Sequence, residues 1–149
     1  MNDHDYTVEI VIDATPEAAF RAINHVRGWW SGEVAGETDR LGAEFSYRVP
    51  GIHDSKQRIT KLVPGATVEW LVIESDLAHA QPRTEWTGTR IRFDLEPAGS
   101  RTRLRFTHMG LRSELACYDS CSGAWALLLR GNLRRLVESG EDQPDAFAS

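Results

Sequence analysis

The sequence predicts an α+β fold in which an antiparallel sheet is covered by one long C-terminal helix. Between residues 43 and 109, apolar and polar residues alternate in successive segments, which is the period of half-buried strands. After Gly110 the apolar residues change to a helical period. Consecutive hairpins favour an antiparallel sheet, and such a sheet buries one face against a second layer. The C-terminal helix is the predicted element long enough to form that layer.

The chain is expected to begin with a strand and a short helix. In YTVEIVID, alternate residues share one face of a strand. ATPEAAFRAI has the signals of a helix start, with Thr15 as N-cap and Pro16 at the first helical position. Phe20 and Ile23 are expected to form the buried stripe of this helix. The glycine-broken segment VRGWWSGEVAG then leaves room for at most a second short helix.

Five further strands bring the predicted sheet to about six. AEFSYRV, with Tyr47 facing inward, precedes DSKQRITKLV, whose alternation is weaker and which ends at a Pro-Gly turn. TVEWLVIES is the next strand, and we expect Trp70 on its inner face. TRIRFDLE and TRLRFTHM are joined by PAGS and form the clearest hairpin. Alternation places Phe93, Phe106 and His108 on the inner face of that hairpin.

The C-terminal helix is predicted from an arc of apolar and small residues. At about 100° per residue, one side of the helix collects most of them. These residues are Cys117, Cys121, Ala124, Trp125, Leu128, Leu129, Asn132 and Leu136. Gly140 is expected to end the helix. We therefore predict a single domain over residues 1–140, followed by a loose polar tail at 141–149.

Composition fits one globular domain and excludes several classes of function. The 149 residues are 41% hydrophobic and 26% charged. A net charge of −5 argues against a broad nucleic-acid-binding surface. No stretch approaches the roughly 18 apolar residues of a membrane span. The N-terminus lacks the basic and apolar regions of a signal peptide. We expect a cytoplasmic protein that binds no nucleic acid and has no membrane span.

Several stretches of the sequence together resemble a known family. They are TPEAAFRAI, the tryptophan pair followed by GEVAGETDRLGAEFSYR, KQRITKLVPGATVEWLV, EWTGTRIRFDLEP with TRLRFTHMGL, and CYDSCSGAWALLLRGNLRRLVESGE. The family that they resemble is the START-like (SRPBCC) superfamily, in the bacterial branch related to the C-terminal domain of the activator of heat-shock protein 90 ATPase. The resemblance implies a helix-grip fold, in which the sheet curves around the C-terminal helix and leaves a deep apolar cavity between the two.

The resemblance implies three classes of function. Superfamily members bind lipids, hormones or polyketides, so the leading expectation is non-enzymatic binding of a small hydrophobic or amphipathic ligand in the cavity, with no cofactor. A few members are enzymes, and a cyclase or hydrolase would use His108 with a polar group of the same cavity. A stress- or chaperone-linked interaction module is the third. The eukaryotic activator contacts the chaperone through an additional N-terminal domain, for which this chain has no room.

The residues expected to line the cavity are inward-facing aromatic, polar and small side chains. One residue of the Trp29-Trp30 pair is expected to pack in the core and the other to lie at the rim. Cys121 is expected to be a small wall residue, and His108 and Asn132 to supply polar contacts. The complete set is Trp29, Trp30, Tyr47, Trp70, Trp86, Phe93, Phe106, His108, Cys121, Trp125 and Asn132.

The two cysteines are interpreted as wall residues, and no metal site is expected. Four residues apart on a helix, their Cβ atoms would lie about 5–6 Å apart, against about 3.8 Å in an unstrained disulfide. Zinc needs about four ligands, and the histidines are scattered without a paired motif. Cys121 acting as a nucleophile with His108 as its base is an alternative, although the sequence offers no third orienting residue and no oxyanion-hole motif.

Overall fold

The computed structural model describes residues 6–30, 33–51, 53–77, 86–111 and 118–139. In this part of the chain, seven strands form one antiparallel sheet. They are β1 (Tyr6–Ile12), β2 (Glu33–Gly36), β3 (Glu44–Val49), β4 (His53–Val63), β5 (Thr67–Leu77), β6 (Arg90–Ala98) and β7 (Arg101–Met109). Their order across the sheet is β1-β7-β6-β5-β4-β3-β2, so that β1 and β2 are its edges.

The helices lie before β2 and after β7. Helix α1 (Pro16–Asn24) is followed by one 3-10 turn (Val26–Gly28). The C-terminal helix consists of α2 (Tyr118–Leu127), a π-helical stretch (Leu128–Leu133) and α3 (Arg134–Ser139). The sheet and the C-terminal helix confirm the predicted helix-grip α+β architecture. The tail at 141–149, Gly140 and Cys117 lie outside the described residues.

Helix α1 starts as predicted, and its buried face includes further residues beside the two that were predicted. The Thr15 hydroxyl oxygen accepts a hydrogen bond from the Ala18 N–H at 3.1 Å, and Pro16 occupies the first helical position. Ile23 is fully buried, and Phe20 is partly buried and packs against the core. The helix packs against β5, β6 and β7 with a face that includes the small residues Ala19 and Ala22.

Strand β2 is the element that raises the sheet from about six strands to seven. It pairs with β3, with Val34 opposite Tyr47. Four residues are too few to show an alternating period, and β2 buries no side chain fully. Gly36 ends the strand at φ 105°, where a Cβ would lie 2.5 Å from the Glu44 carbonyl oxygen. A glycine here therefore marks close pairing of backbones and not only a loop.

The inner face of the sheet follows the predicted alternation in most strands. A register shift in the pairing of β4 with β5 lies between Lys56 and Gln57, opposite Ile73. Beyond it, the buried positions of β5 change phase and are Ser75 and Leu77. The inward, buried residues of the five central strands are Phe45, Tyr47, Ser55, Gln57, Ile59, Val68, Trp70, Val72, Ser75, Leu77, Ile91, Phe93, Leu95, Thr102, Leu104, Phe106 and His108. This face and the C-terminal helix enclose the core.

The C-terminal helix buries the predicted arc with one addition. Trp125, Leu128, Leu129, Asn132 and Leu136 are buried, and so is Leu133, which a regular α-helix would have turned toward the edge of the arc. A π turn holds more residues than an α turn, so residues after its start are rotated back relative to an α-helical wheel. Ala124 is only partly buried. The side chain of Cys121 lies outside the described part of the structure.

The outer face of the sheet carries ion pairs. Arg105 contacts Glu9 at 3.1 Å, and Arg103 contacts Glu96 at 2.6 Å, across neighbouring strands. Arg92 bridges to Asp94 at 3.0 Å on its own strand. The basic cluster near residues 101–105 is thus a solvated strand face with acidic partners, as the alternation indicates. None of the described helices combines the length and the apolar character that a membrane crossing requires.

The exposed edge of β1 meets the C-terminal helix. The Arg134 guanidinium donates to the Val11 carbonyl oxygen at 3.3 Å, and the Asp13 N–H donates to the Glu138 carboxylate at 2.9 Å. At the other end of the strand, the Tyr6 hydroxyl donates to the carbonyl oxygen of Ser122 at 3.2 Å. The helix is therefore attached to β1 at both ends, which fixes its position over the sheet.

Candidate ligand-binding site

The sequence-predicted lining residues come together between the sheet and the C-terminal helix. Ten of the eleven have described side chains, and all ten are buried, the most exposed being Asn132 at 6%. Cys121 is the eleventh, and its side chain is outside the described part of the structure. The rim position expected for one tryptophan of the pair is not observed, since Trp29 is 0% and Trp30 4% exposed.

The aromatic rings form one continuous cluster centred on Trp125. Its ring centroid lies 4.5 Å from that of Phe106, 5.5 Å from that of Trp30 and 5.9 Å from that of Trp86. Trp30 in turn lies 5.6 Å from Trp70. Most of these contacts are edge-to-face or tilted, which is the favoured geometry of aromatic pairs. The cluster therefore joins the helix, the segment after α1 and the inner faces of the strands.

The five tryptophans divide into two groups by the state of their indole N–H. Trp29 donates to the Ile23 carbonyl oxygen at 3.2 Å, and Trp125 donates to His108 Nδ1 at 3.1 Å. Trp30, Trp70 and Trp86 have buried Nε1 atoms with no hydrogen-bond partner. Two of the indole N–H groups are therefore hydrogen-bonded within the protein. The other three are buried and have no hydrogen-bond partner in it.

These buried N–H groups lower the stability of the fold if they remain without hydrogen-bond partners. Leaving a buried donor unpaired costs about 1–3 kcal/mol, and native proteins pair roughly 90% or more of their buried polar groups. The Gln57 Oε1 atom, on the inner face of β4, is also buried and without a partner. Four such atoms beside one aromatic cluster are an arrangement that a bound ligand or ordered water would complete.

His108 is fully engaged in a hydrogen-bond chain. An indole N–H can only donate, so the bond from Trp125 requires Nδ1 to accept and the imidazole to be neutral. The Thr89 hydroxyl donates to the Trp86 carbonyl oxygen at 2.6 Å. It therefore accepts from His108 Nε2–H at 2.9 Å. This chain ties β7 to the helix and to the segment before β6, and it leaves neither nitrogen in the position of a general base.

Asn132 has a positioning role. Its amide Nδ2 donates to the Trp29 carbonyl oxygen at 3.0 Å, in a buried site. The lack of a side chain at Gly28 also lets this segment lie close to the C-terminal helix, since a Cβ there would lie 2.9 Å from the Leu136 side chain. The π-helical stretch thus holds the segment that carries Trp29 and Trp30 against the helix.

A polar row on β4 was not anticipated from the sequence. The Ser55 hydroxyl oxygen lies 2.7 Å from His53 Nε2, and it accepts from Gln57 Nε2 at 2.7 Å. Ser55 and Gln57 are 3% and 0% exposed. Ser55 and Gln57 alternate in step with the apolar Ile59, which could have indicated that they face inward. Polar residues occupy both faces of this part of β4, however, so the alternation of apolar and polar residues is not visible in the sequence. His53 connects the row to the aromatic cluster through Tyr47 and Trp86.

Metal-binding chemistry finds no support in this region. Among the described residues, no group of three or more histidine, cysteine, aspartate or glutamate side chains is placed to hold a metal ion. Two of the acidic residues in and around the β2–β3 turn form ion pairs, Glu37 with Arg40 at 2.7 Å and Glu44 with Arg58 at 2.8 Å. The described side chains of the site are aromatic rings and hydrogen-bonding groups.

One known protein family has a model that matches most of this chain. The family model described as activator of Hsp90 ATPase homolog 1-like protein matches residues 13–138. The chain belongs to this family. The match extends from the end of β1 to the last helix, and it confirms the START-like (SRPBCC) resemblance of the sequence. No curated protein matches the chain.

Solved structures agree with the family assignment. The Aha1 dimer from Colwellia psychrerythraea is 27% identical, with a TM-score of 0.72 over 91% of this chain and 97% of the other. Protein MLL2253 from Mesorhizobium loti is 21% identical, with a TM-score of 0.68 over 89% and 96%. CalU16 from Micromonospora echinospora is 14% identical, with a TM-score of 0.64 over 90% and 76%. The last two likenesses show the fold alone.

Proposed function

We propose that this member of the family binds a small amphipathic molecule between the sheet and the C-terminal helix. The observation that carries the proposal is the set of three buried indole N–H groups without partners, on Trp30, Trp70 and Trp86. They lie beside rings that offer a large apolar contact area. Small-molecule sites are typically mostly apolar with a few convergent polar groups, and the described interior offers both kinds of group. The proposal requires no cofactor.

The interaction-module alternative has less support. A docking surface for a chaperone or another protein would be expected to present a continuous apolar patch. The described large hydrophobic residues that are exposed are spread over separate elements. They are Val11 on β1, Leu41 in the turn before β3, Val63 at the end of β4 and Leu127 on α2. The concentration of apolar and unpaired polar groups lies inside the molecule instead.

The proposal predicts that filling the interior blocks binding. Gln57 is 0% exposed on the inner face of β4, whereas its neighbour Arg58 points outward and pairs with Glu44. We expect Gln57→Phe to reduce the affinity for the fluorescent probe N-phenyl-1-naphthylamine at least tenfold, because the added ring would occupy the space of the ligand. Titration of the probe, followed by its emission and by quenching of tryptophan fluorescence, measures this.

Arg58→Leu is the matched control, one residue away on the opposite face. It should bind the probe as the parent protein does, and near-ultraviolet circular dichroism would confirm that both variants are folded. The proposal is contradicted if the parent shows no saturable binding, or if the outer-face variant loses as much affinity as the inner-face one. If the parent protein binds the probe saturably, native mass spectrometry of the protein purified from its own host would identify a co-purifying ligand directly.

The hydrolase alternative has one specific observation in its favour. The Ser55 hydroxyl lies within hydrogen-bond distance of His53 Nε2, which is the arrangement of a nucleophile and its base. Gln57 Nε2 donates to the same oxygen, and in the His53 tautomer whose Nε2 is unprotonated the Ser55 hydroxyl donates to that nitrogen. This pair replaces the His108-based site that the sequence suggested, since both nitrogens of His108 are already bonded.

This alternative predicts covalent labelling. A fluorophosphonate should add its phosphonyl group to Ser55 Oγ with loss of fluoride, and intact-mass analysis with peptide mapping would locate the adduct. Ser55→Ala should abolish the labelling, and His53→Phe should slow it by removing the base. An unlabelled parent protein that still binds the naphthylamine probe would exclude the hydrolase and leave binding as the function.

A further inference from the structure

We infer that the protein docks on membranes that contain anionic phospholipids, through the outward side of its helices. This surface, called the helical side below, is formed by the exposed residues of α1, the 3-10 turn and the C-terminal helix. The inference does not depend on what the interior binds. It rests on the pairing of the arginines, on their placement in the fold, and on one exposed leucine among them.

The arginines of the sheet are neutralised within the protein. Every described arginine of the strands and of the turns between them has a carboxylate oxygen within 4.0 Å, and the shortest of these contacts is 2.6 Å. The two lysines of the chain, Lys56 and Lys61, lie opposite Glu74 and Glu69 in the pairing of β4 with β5. The paired arginines are Arg40, Arg48, Arg58, Arg90, Arg92, Arg101, Arg103 and Arg105.

The arginines of the helical side lack such partners. Arg21, Arg27, Arg130 and Arg134 form no ion pair in the part of the chain that the structure describes. The guanidinium groups of Arg27 and Arg134 each donate to one backbone carbonyl oxygen, at 2.9 and 3.3 Å. A carbonyl group carries no net charge, so these contacts leave the positive charge uncompensated. Arginine stays protonated in proteins, so this charge is permanent.

The helical side faces one direction. Helix α1 and the C-terminal helix contact each other, and both contribute to the core on the inner face of the sheet. Their exposed residues therefore point away from the sheet. The elements of this side contain five arginines, no lysine and the three acidic residues Glu17, Asp119 and Glu138. A chain with a net charge of −5 thus carries a cationic face, which would turn towards an anionic surface.

An exposed leucine accompanies these arginines. Leu127 is 49% exposed, and Arg130 and Arg134 follow it at spacings of three and four residues, which places all three along one side of the helix. Phospholipid head groups offer phosphates, to which guanidinium groups bind with paired hydrogen bonds. The acyl boundary below them accepts an apolar side chain without a shaped pocket. An acidic protein segment would need an apolar pocket for Leu127 as well, so the lipid surface is the favoured partner.

Vesicle binding tests this surface. We expect sucrose-loaded vesicles of equal parts phosphatidylcholine and phosphatidylglycerol to bind the protein at least about fivefold more strongly than vesicles of phosphatidylcholine alone, because each arginine near an anionic surface adds to the attraction. Co-sedimentation measures both affinities. Raising sodium chloride from about 0.05 M to about 0.5 M should weaken binding to the mixed vesicles about threefold or more, since salt screens exposed charges.

Two double variants locate the contact. Arg21→Gln with Arg130→Gln removes two unpaired charges of the helical side, and we expect the preference for the mixed vesicles to fall about threefold or more. Arg103→Gln with Arg105→Gln removes the same charge from the outer face of the sheet and should keep the parent preference. Leu127→Ser should weaken binding about twofold or more while leaving its salt dependence unchanged. Near-ultraviolet circular dichroism checks that the variants are folded.

Several outcomes would overturn the inference. Equal binding of the parent protein to both kinds of vesicle is one, and equal losses in the two double variants are another. A parent protein that binds poly-glutamate but neither kind of vesicle would assign the helical side to an acidic protein instead. None of these results bears on the interior, because binding of the naphthylamine probe is measured without vesicles.

Discussion

At the scale of residues, identical side chains have different roles according to their partners. Trp125 and Trp70 are both almost fully buried, at 2% and 0% exposure. The N–H of Trp125 satisfies His108 Nδ1, whereas the N–H of Trp70 has no partner. Inward position could be predicted from alternation and helical period for both. Their hydrogen bonding could not, since it depends on which residue lies opposite in three dimensions.

This difference predicts unequal effects of the same substitution. Trp125→Phe would remove the indole N–H that donates to the buried His108 Nδ1, and we expect this loss to cost about 1–3 kcal/mol beyond the loss of packing. Trp70→Phe loses comparable packing but removes a group that is already unpaired. Urea unfolding of the two variants, with equal m-values, should therefore show the Trp125 variant to be less stable by about that amount.

One outcome of this comparison would contradict the prediction. Equal destabilisation of the two variants would mean that the bond between the indole and the imidazole contributes nothing net. His108 would then be a residue that is merely accommodated in the core, and the chain through Thr89 would not hold the helix to β7.

At the scale of elements, the C-terminal helix shows where period-based prediction reaches its limit. Its buried arc was predicted almost completely, but Leu133 was missed because an α-helical wheel cannot represent the π-helical stretch. The stretch contains Asn132, whose amide donates to the Trp29 carbonyl oxygen across the domain, a tertiary contact that a helical period does not predict. Strand β2 was missed for a related reason, since four exposed or half-exposed residues become a strand only by pairing with β3.

The π-helical stretch provides a matched pair of substitutions. Asn132→Ala removes the only amide that donates to the Trp29 carbonyl among the described contacts, and we expect a loss of about 1–3 kcal/mol in the free energy of unfolding. Arg130→Ala, two residues earlier and exposed, should change it by less than about 0.5 kcal/mol. Thermal unfolding of both variants compares them, and similar values would show that the amide does not anchor the segment.

At the scale of the whole molecule, the sequence was sufficient for the architecture and insufficient for the polar interior. The change of period after Gly110 and the hairpin around Gly99 led to the sheet and its covering helix, both of which the structure contains. The row of His53, Ser55 and Gln57 could not be predicted, because a pattern of apolar and polar residues does not distinguish a buried polar residue from an exposed one. Which donors remain unpaired is a property of the assembled core alone.

The open sheet also has a consequence for how the protein behaves at high concentration. A sheet with free edges can recruit strands from other copies and aggregate. At one edge, Arg134 occupies the Val11 carbonyl with a charged group that an incoming strand would have to displace. At the other edge, β2 is four residues long, begins with the exposed Glu33 and ends at Gly36 with a left-handed φ. Both edges therefore disfavour strand addition, and the same contacts that position the covering helix also oppose fibre growth.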